Sequence, residues 1–156
     1  FTTQVKDGDL QIGVIDFDQE TMQFCGSVDT STGLLFKSSE NEALILDLQS
    51  GLLENEASTD TLLSSIPGQS QLIYRTFSEE VNKAYFCDPF PPATPVVSEE
   101  IQAGAGNVRI FTSRNETDTT LYQHNIRLEG ISFVNDAGER ITNLSVDNFG
   151  TLETSN

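Results

Sequence analysis

The sequence of 156 residues contains no tryptophan, one histidine and two cysteines. One histidine and two cysteines cannot supply the four Cys and His ligands of a structural zinc site. The missing tryptophan removes the residue that marks true immunoglobulin domains. The chain also lacks the GxSxG elbow, the HExxH pair, the phosphate-binding loop and the GxGxxG fingerprint. We therefore predict no catalytic residues from sequence motifs.

Positive charge is scarce, with 8 Lys and Arg against 24 Asp and Glu and a net charge of −16. Such a surface repels the phosphates of nucleic acids and the headgroups of anionic membranes, so neither is expected as a partner. It attracts cationic partners and divalent metals. A solvated acidic surface that keeps the protein soluble is the simpler interpretation.

Long apolar runs are also missing. No stretch approaches the ~20 apolar residues that a membrane span needs, so no transmembrane span is predicted. The first residues, Phe1 to Gln4, carry neither the basic flank nor the apolar run of a signal peptide. We expect either a chain that never had such a signal or a mature form.

The two cysteines, Cys25 and Cys87, each follow a phenylalanine, which indicates burial. They are too far apart for a CxxC redox motif. Two interpretations remain, a disulfide or two inert core thiols. We predict the disulfide, and with it an oxidising, extracytoplasmic location.

Strand patterns dominate the chain. Residues 42–48 are apolar on both faces and favour a central strand, although the polar residues before them also fit a helix cap. Residues 78–84 are the best candidate for a short helix, with Ser78 as its cap. A change of phase in the C-terminal third predicts a β-bulge near Glu129 and Gly130.

About nine strands at short spacing, separated by turn signals, are typical of a sandwich or barrel. We predict an all-β fold, a two-sheet immunoglobulin-like β-sandwich with at most one short helix. Residues 1–156 are expected to form a single domain, because their number suits one domain of ordinary size and no internal repeat is present.

Carboxylates are the one abundant reactive group, and the candidate calcium ligands are Asp7, Asp9, Asp16 and Asp18. Calcium needs six to eight oxygen ligands, and glycoside hydrolysis needs two carboxylates at a set separation. The EF-hand spacing is absent, and close acidic pairs arise by chance in so acidic a chain. No cofactor is predicted, with calcium as the alternative.

His124 lies in phase with Tyr122, Ile126 and Leu128 near the start of a strand. A general base is the functional interpretation, and a half-buried histidine at the end of a sheet is the one we favour. Polar loops at 38–41, 54–60 and 114–120 are candidate binding loops, although idle loops have the same composition.

Four scattered segments form a pattern: Lys6-Asp7-Gly8-Asp9, Asn82-Lys83-Ala84-Tyr85-Phe86-Cys87 with Pro91, Pro92 and Pro95, Tyr122-Gln123-His124-Asn125-Ile126, and Phe149-Gly150-Thr151. Together they resemble small envelope lipoproteins of the Bacteroidetes phylum, of an uncharacterised flavobacterial type. The resemblance implies a β-sandwich, a lipid anchor upstream of residue 1, and a location at the outer membrane, the cell surface or the periplasm. It implies no activity.

The sequence thus favours a non-enzymatic domain of the cell envelope that binds an unknown protein partner or forms part of a surface assembly. β-Sandwiches often serve as interaction scaffolds, though this is an analogy at the level of the fold. The first alternative is a ligand-binding module for glycan or calcium. The second is a carboxylate-dependent hydrolase, which would need two facing acids and a raised carboxyl pKa in a cleft.

Overall fold

Alternating apolar and polar residues fold into short and long strands around one small helix. The computed structural model describes residues 21–88, 90, 93–134, 140–141 and 148–155. Its elements are β1 (Gln23–Phe24), β2 (Leu34–Ser39), β3 (Glu42–Asp47), β4 (Leu62–Ser65), β5 (Gln71–Phe77), α1 (Lys83–Cys87), β6 (Val97–Arg114), β7 (Leu121–Val134), β8 (Arg140–Ile141) and β9 (Asn148–Ser155).

The strands form one antiparallel, nine-stranded sheet in the order β1-β2-β3-β5-β6-β7-β8. Two further strands lie off this path, because β4 pairs with β6 and β9 pairs with β7. The beginning of β6 pairs with β5, and its end pairs with β4. We call β1, β2, β3, β5 and the beginning of β6 the first half of the sheet. The second half comprises β4, the end of β6, β7, β8 and β9.

An irregularity in the β6–β7 ladder separates the two halves. The register shifts twice between Ala103 and Asn107, opposite residues 129–133 of β7. Gly106 has a φ of 132° and Gly130 a φ of 64°, which are left-handed values that favour glycine. The predicted bulge near Glu129 and Gly130 is therefore confirmed. Bulges bend a strand and increase its twist, which lets the sheet curl.

The curled sheet encloses one main core, to which both halves contribute. Alternate residues of each long strand point inward, as a strand's two-residue period requires. The fully buried members from the first half include Leu35, Leu44, Leu46, Leu72 and Ile101, and those from the second half include Val108, Ile110, Ile126, Phe133 and Phe149. Lys37 of β2 lies over the Phe149 ring of β9 at 5.4 Å, so the far ends of the two halves also meet.

A second, smaller core covers the outer face of the first half. Phe36, Ala43, Ile45, Phe77 and Val81 are buried there, and aromatic residues of α1 pack against them. Because β3 is covered on both faces, its residues are apolar at nearly every position. This explains the ambiguous pattern at 42–48, and the prediction of a strand rather than a helix is confirmed.

The helix begins later than the sequence indicated. The prediction of a helix over 78–84 capped by Ser78 was wrong, since α1 begins at Lys83 and the Asn82 side chain accepts a hydrogen bond from the Ala84 N–H. Ser78 instead extends the sheet. Its N–H donates to the Val96 carbonyl at 2.8 Å, and its hydroxyl accepts from the Val96 N–H at 3.0 Å.

The predicted all-β class is confirmed in its coarse form, as a mostly β, antiparallel architecture. The hydrogen-bonded strands form one curled sheet, and the immunoglobulin-like arrangement of two sheets stays a prediction, as does the single domain over 1–156. Among the residues that the structure describes, no helix has the length and apolar character to cross a membrane.

Two glycines of β6 provide a matched test of the bend. A Cβ added at Gly106 would lie 2.5 Å from Ile131 Cδ1 and 3.1 Å from the Glu129 carbonyl oxygen. Gly106→Ala should therefore lower the free energy of unfolding by at least about 2 kcal/mol, from backbone strain and overpacking together. A Cβ at Gly104 meets nothing within 4 Å, so Gly104→Ala should change it by less than about 1 kcal/mol. Urea unfolding of both variants measures this, and equal losses would contradict the assignment of the bend to Gly106.

Candidate functional site

The predicted calcium ligands Asp7, Asp9, Asp16 and Asp18 all lie outside the described residues. Within the described ranges, no group of three or more His, Cys, Asp or Glu side chains is close enough to hold a metal ion. The calcium site stays a prediction.

The disulfide joins Cys25, just after β1, to Cys87 at the end of α1, with a Cα–Cα distance of 5.3 Å. It fixes α1 against the outer face of the first half. Four aromatic rings complete this cover: Phe86 stacks on Phe36 at 4.3 Å, and Tyr85 meets Phe77 edge-on at 5.0 Å. The predicted disulfide is therefore present, and the packed aromatic residues around it are typical of a structural disulfide.

His124 is fully buried, not half-buried as the sequence suggested. Its Nδ1 lies 2.7 Å from the Thr112 hydroxyl and its Nε2 lies 2.8 Å from the Thr154 hydroxyl. β7 therefore places the imidazole between hydroxyls supplied by β6 and β9. No carboxylate takes part in either contact, so the arrangement differs from an acid–histidine–nucleophile relay.

The neighbouring hydrogen bonds fix the tautomer of His124. The Thr154 hydroxyl donates to Asn55 Oδ1 at 2.6 Å, while Asn55 Nδ2 donates to the Ser155 carbonyl at 3.0 Å. A hydroxyl has one proton, so Thr154 must accept from Nε2–H of His124. Nδ1 then accepts from the Thr112 hydroxyl. Both nitrogens of the neutral ring are satisfied, and neither is left to take a proton from a substrate.

The same network fastens the loop between β3 and β4 onto the sheet. Besides Asn55, Ser58 bonds to Thr112 twice: the Ser58 N–H donates to the Thr112 carbonyl at 2.8 Å, and the Thr112 N–H donates to the Ser58 hydroxyl at 3.0 Å. His124 therefore contributes to the position of a surface loop. We assign it a structural role.

Two of the three candidate binding loops border surface depressions. Residues of the 54–60 loop line a depression of about 540 Å³ together with Leu52, Leu62 and Thr112. Glu40 and Asn41 line another, of about 350 Å³, with Glu79 and Glu80. Both are open and acidic, as most of this surface is expected to be, and the third loop lines neither of them.

A carboxylate-dependent hydrolase would need an acid with a raised pKa, but the pKa is lowered at Asp29 and Asp118. Hydrogen bonds from the Ser31 hydroxyl and N–H hold the pKa of Asp29 below its usual value, and those from Thr120 do the same for the pKa of Asp118. Both groups are fully exposed turn residues. Their side chains organise the local turns rather than a cleft.

The three tyrosines do not form an exposed stacking platform. Tyr74 and Tyr122 are buried, and Tyr85 packs into the aromatic cover of the first half. The Tyr74 hydroxyl donates to the Glu42 carboxylate, and burial is the main cause that raises the pKa of Tyr74. The exposed tyrosine that would favour a glycan module is therefore missing from the described surface.

Five residues of β4, β6 and β7, which are apolar, polar and cationic, lie together on the outer face of the second half. We call this set, which comprises Leu63, Arg109, Phe111, Asn125 and Arg127, the arginine face. Leu63 is 57% exposed and Phe111 is 44% exposed. Four of the five residues, with Thr61, line a depression of about 310 Å³.

Strand register assembles the arginine face. Leu63 of β4 is opposite Arg109 of β6, and Arg109 is opposite Arg127 of β7. Two residues further along the same two strands, Phe111 is opposite Asn125 on the same face. Sequence reasoning missed this set, although the alternation in Val108-Arg109-Ile110-Phe111-Thr112 and Ile126-Arg127-Leu128 shows that both arginines point away from the core.

Polar contacts orient the arginines. Arg109 Nη1 lies 3.3 Å from Glu129 Oε2, and both side chains are about half exposed. Arg127 Nε donates to Asn125 Oδ1 at 3.2 Å, and Asn125 Nδ2 donates to the Thr151 hydroxyl at 3.4 Å. The face therefore combines two guanidinium groups, an amide and two exposed apolar side chains.

Comparison with protein-family models, curated proteins and solved structures gives no match to this chain. The function must accordingly be argued from the chain's own geometry.

The buried His124 predicts a pH dependence of stability. Burial lowers its pKa, because the imidazolium is disfavoured away from water. As the pH falls below ~6.5, the folded state then takes up a proton at this histidine less readily than the unfolded state does, so the free energy of unfolding falls as the pH drops through this range. The contribution of one such group is at most about 1.4 kcal/mol per pH unit.

His124→Gln removes this titration and leaves the carboxylates unchanged. Urea unfolding between pH 7.5 and 5 should therefore show a smaller loss of stability on acidification for the variant than for the wild type. Parallel pH profiles would show that His124 is protonated as readily in the folded state as in the unfolded one, contrary to its burial.

Proposed function

We propose that this chain is a non-enzymatic interaction domain of an extracytoplasmic compartment and that a protein partner binds to its arginine face. The observation that carries the proposal is the exposure of Leu63 and Phe111 beside Arg109 and Arg127 on one sheet face. Aromatic residues and arginine are enriched in protein interfaces, and hot spots favour both.

The contrast between the two outer faces supports this choice. The outer face of the first half is covered by α1, the disulfide and their aromatic residues. No helix or strand among the described residues covers the arginine face on the outer side of the second half, and Leu63 and Phe111 are exposed there. Scattered exposed apolar residues are ordinary, whereas Leu63 and Phe111 flank the same arginine on adjoining strands.

A binding role also agrees with the placement of His124. The histidine is sealed between two hydroxyls in the interior, and its neutral ring uses both nitrogens. A general base must reach the proton that it removes, within about 3 Å or through one water. The role we propose for the domain requires no such group.

The location is part of the proposal. A disulfide indicates an oxidising compartment. We propose, on the resemblance to Bacteroidetes envelope lipoproteins, that the domain acts at the outer membrane, the cell surface or the periplasm, with a lipid anchor upstream of residue 1. An immunoglobulin-like sandwich, with the two halves of the sheet as its layers, is the fold that we propose in finer detail.

Capture of a partner from the native cell envelope tests the proposal when it compares matched variants. Phe111→Glu places a charge in the arginine face. Val97→Glu makes the same change at a comparably exposed position, 39% against 44%, at the other end of β6. We expect the wild type and Val97→Glu to retain a stoichiometric partner and Phe111→Glu to lose it.

Thermal unfolding of both variants provides the control for folding. A partner that is retained equally by the two variants would show that the arginine face is not the binding surface. If the wild-type chain is recovered alone, the proposed function fails in this form.

A further inference from the structure

The short strand β4 leaves one side of its backbone open. Among the described strands it pairs only with β6. Antiparallel strands alternate residues whose backbone groups bond to the neighbour with residues whose backbone groups point away. Ile66, just after β4, donates its N–H to the Gly106 carbonyl of β6 at 2.9 Å. Counting back in steps of two, Ser64 and Leu62 also bond to β6, so the N–H and C=O of Leu63 point to the open edge.

The chain itself closes the next part of this edge. The Ser65 N–H donates to Gln69 Oε1 at 3.0 Å, and the Ser65 carbonyl accepts from the N–H groups of Gln69 and Ser70, each at 2.9 Å. Among the described residues, no such contact reaches the N–H or the C=O of Leu63. Both backbone groups of Leu63 are therefore available to another strand.

A groove with an apolar floor and an acidic rim borders the open edge. It is the depression of about 540 Å³, whose lining includes Leu62 of β4, Leu52, and the acids Glu54, Glu56 and Asp60. Leu62 belongs to the inward-facing row of β4, yet it is 38% exposed. The inward side of β4 is thus incompletely covered at this edge. Among the described residues, no ion pair engages the three acids.

We propose that the protein partner adds an extended segment to the open edge of β4, pairs with the backbone of Leu63, and places a Lys or Arg side chain in the acidic groove. This inference rests on the proposed function and states how the partner is held. Addition of a strand to an open sheet edge is a general mode of peptide recognition. Backbone hydrogen bonds provide the affinity in this mode, and pockets for alternate side chains provide the specificity.

The two-residue period of a strand determines the direction of each partner side chain. The partner residue opposite Leu63 exchanges two backbone hydrogen bonds with it and points its side chain outward, toward the arginine face. An apolar side chain at this position packs on Leu63, which is exposed. The adjacent residue, opposite Leu62, points inward and enters the groove. One short segment therefore joins the arginine face to the groove.

Charge complementarity selects Lys or Arg for the inward position. The long apolar stem of either side chain can cover Leu52 and Leu62 while its charged end stays at the acidic rim. The net charge of −16 attracts a cationic segment and rejects acidic ones. The same charge opposes pairing of this edge with a second copy of the chain.

Selection from a random peptide library displayed on phage, with the immobilised full chain, provides the probe for the test. Counter-selection uses the triple variant Glu54→Gln/Glu56→Gln/Asp60→Asn, which we call the groove variant. We expect the enriched peptides to share a Lys or Arg next to an apolar residue.

Methylation of single backbone amides in an enriched peptide then separates strand pairing from contacts of side chains alone. Each N-methyl group removes one N–H and leaves every side chain unchanged. Fluorescence anisotropy should show about tenfold weaker binding or more when the apolar residue next to the shared cation is methylated, because its hydrogen bond to Leu63 is lost. Methylation of the cationic residue should have a much smaller effect, because its N–H points away from β4.

Variants of the chain test the same two contacts from the other side. Leu63→Pro removes the outward N–H without removing a bond to β6, whereas Leu63→Ala shortens the side chain and keeps the N–H. Leu63→Pro should bind the peptide more weakly than Leu63→Ala, by up to about tenfold. Thermal unfolding checks that both variants fold, and the methylated peptides test the pairing without any variant of the chain.

The groove variant should weaken binding of the cationic peptide about tenfold or more, and should not weaken a peptide with norleucine in place of the cation. Its matched control is Glu40→Gln/Glu79→Gln/Glu80→Gln, which removes the same number of charges at the other acidic depression. The control should leave the affinity within about twofold.

Equal effects of all the methylations, enriched peptides without a shared cation, or equal losses in the two triple variants would overturn the inference. So would a dimer of the chain in sedimentation that Leu63→Pro dissociates, because a second copy would then occupy the edge. If these peptide results fail while the captured envelope partner is still lost with Phe111→Glu, the proposed function stands and only the strand pairing fails. If the captured partner ignores Phe111→Glu, the proposed function fails, whatever the peptides show.

Discussion

Pairing of β6 with three other strands holds this sheet together. Over 18 residues β6 contacts first β5 and then β4 on one side, while β7 runs along the other. The strand can serve both halves because it bends near Gly106, where a left-handed φ and a close approach to Ile131 disfavour any larger residue. The bend brings the inner faces of the halves together, and burial of their apolar residues in one core is the main stabilising contribution.

Curling of the sheet also determines which surfaces are left for function. One outer face is closed by α1, which the Cys25–Cys87 disulfide fastens in place. The other carries the arginine face, where rigid strands fix the spacing of the side chains. Sites on strands are held more precisely than sites on loops. The buried His124 network, by contrast, ties the loop of Asn55 and Ser58 to the sheet and so supports the architecture.

Local signals in the sequence predicted a good part of this structure. The strand at 42–48 and the bulge near Gly130 follow from the pattern of neighbouring residues. The disulfide follows from the presence of only two cysteines. The start of α1 could not be predicted from local residues, because Ser78 hydrogen-bonds to Val96, 18 residues away. The arginine face could not be named without the register of β6 against β7, which places Arg109 opposite Arg127.

Radical footprinting of the full chain, free and in its captured complex, tests the central claim most directly, namely that a partner covers the outer face of the second half. Phe111 and Leu63 should lose reactivity in the complex, because the partner excludes water from them. Phe90 and Val96, which are 86% and 54% exposed and lie outside the arginine face, should keep theirs. Unchanged labelling of Phe111 and Leu63 with protection of Phe90 and Val96 would contradict the account.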